Sequence, residues 1–299
     1  MKQTRRWVLI GTLLLIPLLL AGCKKKQPAS SQHHQLKVVA STNVYAQLAQ
    51  GVLGQEGKAT AIVQGTTDPH DFEPGTQTAH TVEQADLLIW NGIGYDDWMA
   101  KLAQKQPQVV AAHVLDRHDG ENEHLFFDPR MPRKMITQIE QQARNLRPKQ
   151  QKQFQKNAAA QQKKYAAVTN LADQARTNLA TKQLNQKVAV SEPVFNDALK
   201  YMGYQVANAS FANAIDKEVD PSPKAVRDLR ASLEKREVAF FVDNTQNDSK
   251  VVRQMGSLAK KHQVPVIKIT ETVPPKQTYA DWMTGIYQQV LAVQKQEQG

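Results

Sequence analysis

Residues 36–65 read LKVVASTNVYAQLAQGVLGQEGKATAIVQG. Two β-branched apolar runs, LKVVAST and ATAIVQG, flank YAQLAQGVLG, whose apolar residues recur at helical spacing. Strand, helix and strand in that order make the unit from which parallel sheets are built. The alternation continues through TAHTVEQA, ADLLIWNG and PQVVAA. It returns in KVAVSEP, YQVANAS, VAFFVDN and VPVIKITET, separated by helical patterns near 194–202, 223–235 and 250–262. The predicted fold is therefore α/β, with two lobes, each a mainly parallel sheet flanked by helices.

Between the lobes the pattern is helical from Pro132 to Leu146, breaks at Arg147-Pro148, and resumes from Lys149 to about Lys182. That last segment is rich in Gln, Lys and Ala and has no internal Gly or Pro. As one helix it spans about 50 Å at ~1.5 Å per residue, enough to run along both lobes as a bridge. A solvated coiled-coil arm is the alternative, but the stripe of Phe154, Tyr165, Val168, Leu171 and Leu179 is too thin for sustained heptads. The expected organisation is a leader at 1–22, a tether at 23–35, an N-terminal lobe at 36–148, a linking helix at 149–184 and a C-terminal lobe at 185–299.

The leader has Lys2, Arg5 and Arg6 ahead of an apolar stretch at 7–20, then Ala21, Gly22 and Cys23. This is the pattern of a secretory signal peptide rather than of a transmembrane span. Cys23 is the only cysteine, so an intrachain disulfide is excluded. LLLAGC resembles a bacterial lipobox, which implies lipidation of Cys23 and anchoring to the membrane. The following KKKQPASSQHHQ is polar and aperiodic, a flexible tether whose lysines suit anionic headgroups. The net charge of the 299 residues is +10, but residues 1–35 hold six bases (Lys2, Arg5, Arg6, Lys24, Lys25, Lys26) and no acid, so the remainder carries only +4. So mild an excess argues against a nucleic-acid partner.

The chemistry concentrates in loops. TTDPHDFEPG (66–75) sets His70 between two prolines, with Asp68 before it and Asp71 and Glu73 after it, directly after a predicted strand. Site residues collect at such strand ends, and a neutral imidazole beside acids suits a divalent transition metal. HVLDRHDGENEHLFFDPRMP adds His113, His118 and His124, without zincin or CxxC spacing. WNGIGYDDW (90–98) contains a GxG but no third glycine, so a turn packing aromatics behind a cleft is expected rather than a dinucleotide site. DNTQ (243–246) ends a strand and is placed at the same cleft, whereas His80 and His262 fall on polar helical faces.

DPHDFEPG, NEHLFFDP and TETVPPKQTYADWM together resemble the metal-binding lipoproteins of zinc and manganese ABC transporters, the family 9 solute-binding proteins, over essentially the whole mature chain. The resemblance implies two α/β lobes bridged by a long helix, with one dication in the cleft. Carried over by motif, His70 and His124 are metal ligands. The family's third ligand, from a turn in the C-terminal lobe, falls near Asn213 in NASFANAID, and its fourth, an Asp before the last helix, falls at Gln277, with Asp281 nearby in another register. Glu192 in VSEPVF is the chemically better substitute.

The expected protein is a receptor, not an enzyme: it captures a divalent metal outside the cell and passes it to an ABC permease. It is expected to be a monomer, lipid-anchored on the outer face of the bacterial cell membrane. Two histidines with few assured carboxylates favour zinc over manganese as cargo. A surface adhesin with a structural metal is a further reading of the same chain.

Overall fold

The computed structural model describes residues 35–65, 67–247 and 249–298. The leader, nearly all of the tether, and with them Cys23, lie outside the described residues. The first lobe runs β1 (Leu36–Thr42), α1 (Asn43–Leu53), β2 (Gly57–Val63), α2 (Thr76–Glu83), β3 (Leu87–Trp90), α3 (Trp98–Leu102), β4 (Gln108–Val110), α4 (Ala111–Leu115) and α5 (Met131–Leu146). The long helix α6 (Gln151–Thr181) follows, preceded by a short 3-10 turn that starts at Pro148. The second lobe runs β5 (Lys187–Val190), α7 (Asn196–Met202), β6 (Gln205–Val206), α8 (Ala209–Asp216), α9 (Pro223–Glu234), β7 (Phe241–Asn244), α10 (Lys250–Lys261), β8 (Val266–Ile269) and α11 (Tyr279–Gln296).

Each lobe holds a four-stranded parallel sheet, in the orders β2-β1-β3-β4 and β6-β5-β7-β8. Six of the seven residues of β1 are buried, as a strand covered by helices on both faces requires. In both sheets the strand order reverses beside the first strand of the lobe, and ligands of open α/β sheets sit outside the carboxyl ends of strands at such a crevice. The structure thus confirms the α/β, two-lobed reading.

Helix α6 is about 46 Å long at ~1.5 Å per residue. Its buried residues Phe154, Ala158, Tyr165, Val168, Ala172, Ala175 and Leu179 are three or four positions apart except for one step of seven between Ala158 and Tyr165, so they lie on one face of the helix. That face is richer than the large residues alone suggested, because alanines fill the gaps between them. It packs on α1 and α5 of the first lobe and on α7 and α11 of the second. The helix is therefore the bridge and not a free arm.

The lobes also meet directly. Tyr279, at the start of α11, donates its hydroxyl to the carbonyl of Phe126, and its backbone N–H to Gln47 Oε1 at 2.7 Å. Trp282 lies against Phe127 at 5.0 Å between ring centroids, and Phe127 against Phe195 at 5.3 Å. Beside these rings Arg117 reaches across to Asp197 at 2.7 Å, and Asn122 Nδ2 donates to the carbonyl of Pro193 at 3.2 Å.

The turn after β3 is held from within. The buried Asp96 carboxylate accepts the backbone N–H groups of Asn91 and Gly92 at 2.7 and 2.8 Å, one on each oxygen. Burial pushes its carboxyl up from 3.8 to about 6. Between about pH 4 and pH 6 the folded chain therefore keeps a proton that the unfolded chain has lost, and stability falls as pH rises through that window. Asp96→Asn removes this slope and leaves one N–H facing an amide NH₂, at a cost of about 1–3 kcal/mol. In denaturant titrations the stability gap between parent and variant should narrow by about 2 kcal/mol from pH 4 to pH 7; a constant gap would show that Asp96 titrates normally.

Candidate metal centre

Most of the side chains at the cleft come from the carboxyl end of a strand or from the loop beyond it, and the end of α8 supplies the rest. His70 lies in the loop after β2. Asp68 Oδ1 accepts the backbone N–H of His70 at 2.8 Å, and Trp98 Nε1 donates to the carbonyl of Pro69 at 3.1 Å. The ring of Phe72 packs on Trp98 at 4.8 Å, and Tyr95 stands edge-on to His70 at the same distance. The WNGIGYDDW turn thus does pack aromatics behind the cleft, and it fixes the His70 loop.

His124 follows β4 and α4 and is 2% exposed. Its Nδ1 is 2.9 Å from Asn122 Oδ1, an acceptor, so Nδ1 carries the hydrogen and Nε2 is turned to the cleft. A hydrogen bond of this kind at the far nitrogen is what sets the tautomer and orientation of a metal-binding imidazole. The segment is pinned by Asn91, whose Nδ2 donates to the carbonyl of Glu123 at 2.8 Å. Asn91 also accepts from Tyr45.

The third group is Glu271, just after β8 of the other lobe. Gln246 Oε1 accepts the backbone N–H groups of Glu271 and Thr272 at 2.6 and 2.9 Å. Glu271 Oε1 lies 3.7 Å from His70 Nε2 and 3.6 Å from His124 Nε2. One donor atom each from His70, His124 and Glu271 lies within 4.8 Å of the others, a grouping able to hold a metal ion. Glu271 Oε1 is buried without a hydrogen-bond partner.

The electrostatics fit a cation. Burial disfavours charge on both members of the His124–Glu271 pair, yet their mutual attraction raises the imidazole and lowers the carboxyl from their ordinary values. Around them burial pushes the carboxyls of Glu123, Asp68 and Asp216 up. The cavity they surround is about 430 Å³, with seven carboxylates and one lysine, Lys217, on its walls.

The sequence-predicted residues fall as follows. His70 and His124 come together. Glu192 lines the same cavity, where its carboxylate accepts from Asn244 Nδ2 at 2.7 Å and Asn247 Nδ2 at 2.6 Å, and burial pushes its carboxyl up. Asn244 and Gln246 of DNTQ also line it. NASFANAID forms α8 instead of a turn; Asn213 is exposed on it, and Asp216 at its end faces the cavity. Gln277 and Asp281 line a separate groove along α11, where Asp281 bonds Thr278 at the start of the helix. The carboxylate sought at Gln277 is supplied six residues earlier by Glu271. The signal for it was present: an acid at a predicted strand end before Pro274-Pro275, the same setting as His70. His80 pairs with Glu83 on α2, at 3.8 Å.

Two parallel-sheet lobes, a bridging helix and a histidine–carboxylate cluster between the lobes define a metal-binding receptor. The model of the zinc-uptake complex component A (ZnuA) family matches residues 38–292, and the chain belongs to that family. Its members are solute-binding components of ABC transporters that work with a permease, and are not enzymes. Among curated relatives, the manganese ABC transporter substrate-binding lipoprotein PsaA of Streptococcus pneumoniae is 25% identical over 285 residues, 89% of this chain and 88% of that one. The metal ABC transporter substrate-binding lipoprotein SsaB of Streptococcus sanguinis is 27% identical over 276 residues, 86% of each chain. The fold is shared with the periplasmic zinc-binding protein TroA of Treponema pallidum, at TM-score 0.71 and 15% identity over 87% of this chain and 99% of that one. The manganese complex of FpvC of Pseudomonas aeruginosa also shares it, at TM-score 0.71 and 16% identity over 88% and 99%. Among the described residues no helix is long and apolar enough to cross a membrane.

The excess of carboxylates over cations in this cavity should attract a dication over the distance of the Debye length. Stopped-flow association of zinc should therefore slow as ionic strength rises from about 0.01 to 0.5 M, with a much smaller change in the dissociation rate. An association rate indifferent to salt would show that these acids are neutralised before the metal arrives.

Proposed function

We propose that the chain captures a divalent transition metal between its lobes through His70, His124 and Glu271, with Glu192 lining the same cavity, and delivers it to an ABC permease. The observation that carries this reading is the convergence of two imidazole nitrogens and one carboxylate oxygen, contributed by both lobes, within 4.8 Å. The mature protein is proposed to begin at a lipidated Cys23 and to work as a monomer, tethered to the extracytoplasmic face of the membrane.

Zinc is the proposed cargo. Two imidazoles and one carboxylate suit a four-coordinate zinc ion, and the family model is described as a zinc-uptake component. A manganese reading has its own observation. The shortage of anionic oxygen inferred from Gln277 is made good by Glu271, and oxygen donors are what manganese favours. The relative PsaA is also named as a manganese lipoprotein.

His70→Ala, His124→Ala and Glu271→Ala should each weaken metal binding by about tenfold or more without unfolding the protein, as each removes one donor; His124→Ala, which also deletes a buried ring packed on Tyr95 and Phe126, should lower stability as well. Glu192→Ala should cost less. Calorimetry with unchanged affinity would take that residue out of the site. Deletion of the gene should lower cellular zinc and slow growth in a way that zinc relieves. A fall in manganese with zinc unchanged would transfer the cargo to manganese. Cys23→Ala should release the protein to the medium or leave it unprocessed; membrane-bound, lipid-labelled variant would refute the anchor.

A further inference from the structure

The residue next to His124 carries a carboxylate outside the three-donor group. Glu123 Oε1 lies 3.9 Å from His70 Nε2, little farther than the 3.7 Å of Glu271 Oε1 from the same atom. Ligand atoms around a tetrahedral ion with bonds of about 2.0–2.1 Å are about 3.3 Å apart, so the two carboxylates need similar contractions toward His70, while Glu123, outside the 4.8 Å group, must also swing toward His124 and Glu271 to share their ion. The backbone here is already fixed: the carbonyl of Glu123 accepts from Asn91 Nδ2 and from the N–H of Leu125, both at 2.8 Å.

Two further observations concern the side chain itself. Its second oxygen, Oε2, lies where a Cβ on residue 94 would come within 2.3 Å, and Gly94 has φ +101°. The turn after β3 therefore has a glycine at the one point where a side chain would push the carboxylate away. Among the described residues the Glu123 carboxylate has no hydrogen-bond donor, and His70 is its one close basic neighbour. The Glu123 side chain keeps 27% of its surface exposed, so its oxygens are open to a metal ion in place of solvent. The Glu192 carboxylate, by contrast, is satisfied by two asparagine amides.

We propose that Glu123 is a fourth metal ligand, completing a site of two imidazoles and two carboxylates with His70, His124 and Glu271. This rests on the function proposed above and extends its donor set by one carboxylate. The C-terminal lobe then contributes one ligand, Glu271, and the neighbouring pair Glu123-His124 supplies both an oxygen and a nitrogen. Asn213, exposed on α8, has no part in it.

The test uses the purified lipid-free chain with Glu123→Gln, of equal size and without charge. Its affinities for zinc and manganese should be measured by chelator competition at low salt and in about 1 M salt, where the Debye length is about 3 Å. Loss of a coordinate bond persists in high salt, so both metals should bind about tenfold or more weakly there, manganese suffering more. X-ray absorption of the zinc form should lose one oxygen from the first coordination sphere. Gly94→Ala, which displaces the carboxylate but keeps its charge, should reproduce both effects in protein whose circular dichroism is unchanged. If Glu123→Gln matches the parent in 1 M salt and its absorption spectrum is unaltered, Glu123 acts by charge alone and the proposal fails. His70→Ala serves as the control: were it to bind like the parent, the proposed site itself would fall.

Discussion

The spacing of His124 and Glu271, donors from different lobes, depends on one contact, the aromatic interface between the lobes. Phe126 and Phe127 lie two and three residues beyond His124, and both are buried. Tyr279, which bonds the Phe126 carbonyl, and Trp282, which stacks near both rings, begin the helix that follows the Glu271 turn. The same rings that join the lobes therefore set the distance between His124 and Glu271. Arg117, bonded to Asp197, fixes the other end of the His124 segment. Buried aromatic rings suit this task, since each covers a large area in a defined orientation and tolerates little displacement.

Within each lobe the parallel sheet does the aiming. Parallel strands bring their carboxyl ends to one edge, so loops far apart in sequence open on one crevice. His70, Tyr95, His124, Glu192, Asn244 and Glu271 all follow strand ends, and two similar sheets facing each other bring those edges together. Much of the surrounding polar structure then holds loops in place. Asn91, Asp96 and Gln246 bond to backbone groups of these turns and leave the metal-binding atoms to the cleft.

This division explains what could be read in the sequence. The strands are short apolar runs and were legible, as was α6, because local pattern dictates them. His70 and His124 were legible because histidine in a proline-bounded loop is unusual and the flanking motifs are specific. Glu271 was not singled out, since a glutamate in a turn is ordinary and only the packing of β8 on the second sheet gives it meaning. The helix α8 was hidden by NASFANAID, whose Asn and Ser residues read as a turn; Phe211, Ala212 and Ile215 are buried on it and stabilise the helix by tertiary packing. Glu192, chosen for its chemistry and strand-end position, does reach the cavity, but asparagine side chains that no local pattern reveals occupy its oxygens.

The aromatic interface also bears on how a bound ion could leave. Parting the lobes as rigid bodies would expose rings such as Phe126, Phe127, Phe195 and Trp282, each with about 150–250 Å² to bury. At about 25 cal/mol per Å², that costs several kcal/mol per ring. The loop from Pro69 to Pro74 is held more lightly, by the Trp98 bond to Pro69 and by Phe72 on Trp98. His70 is also the most exposed of the three donors, at 31% for its side chain against 3% for His124 and 13% for Glu271. Displacing that loop removes one imidazole and opens the cavity while the interface stays intact. A permease that drew the His70 loop away would thus weaken the site at far smaller cost than one that pulled the lobes apart.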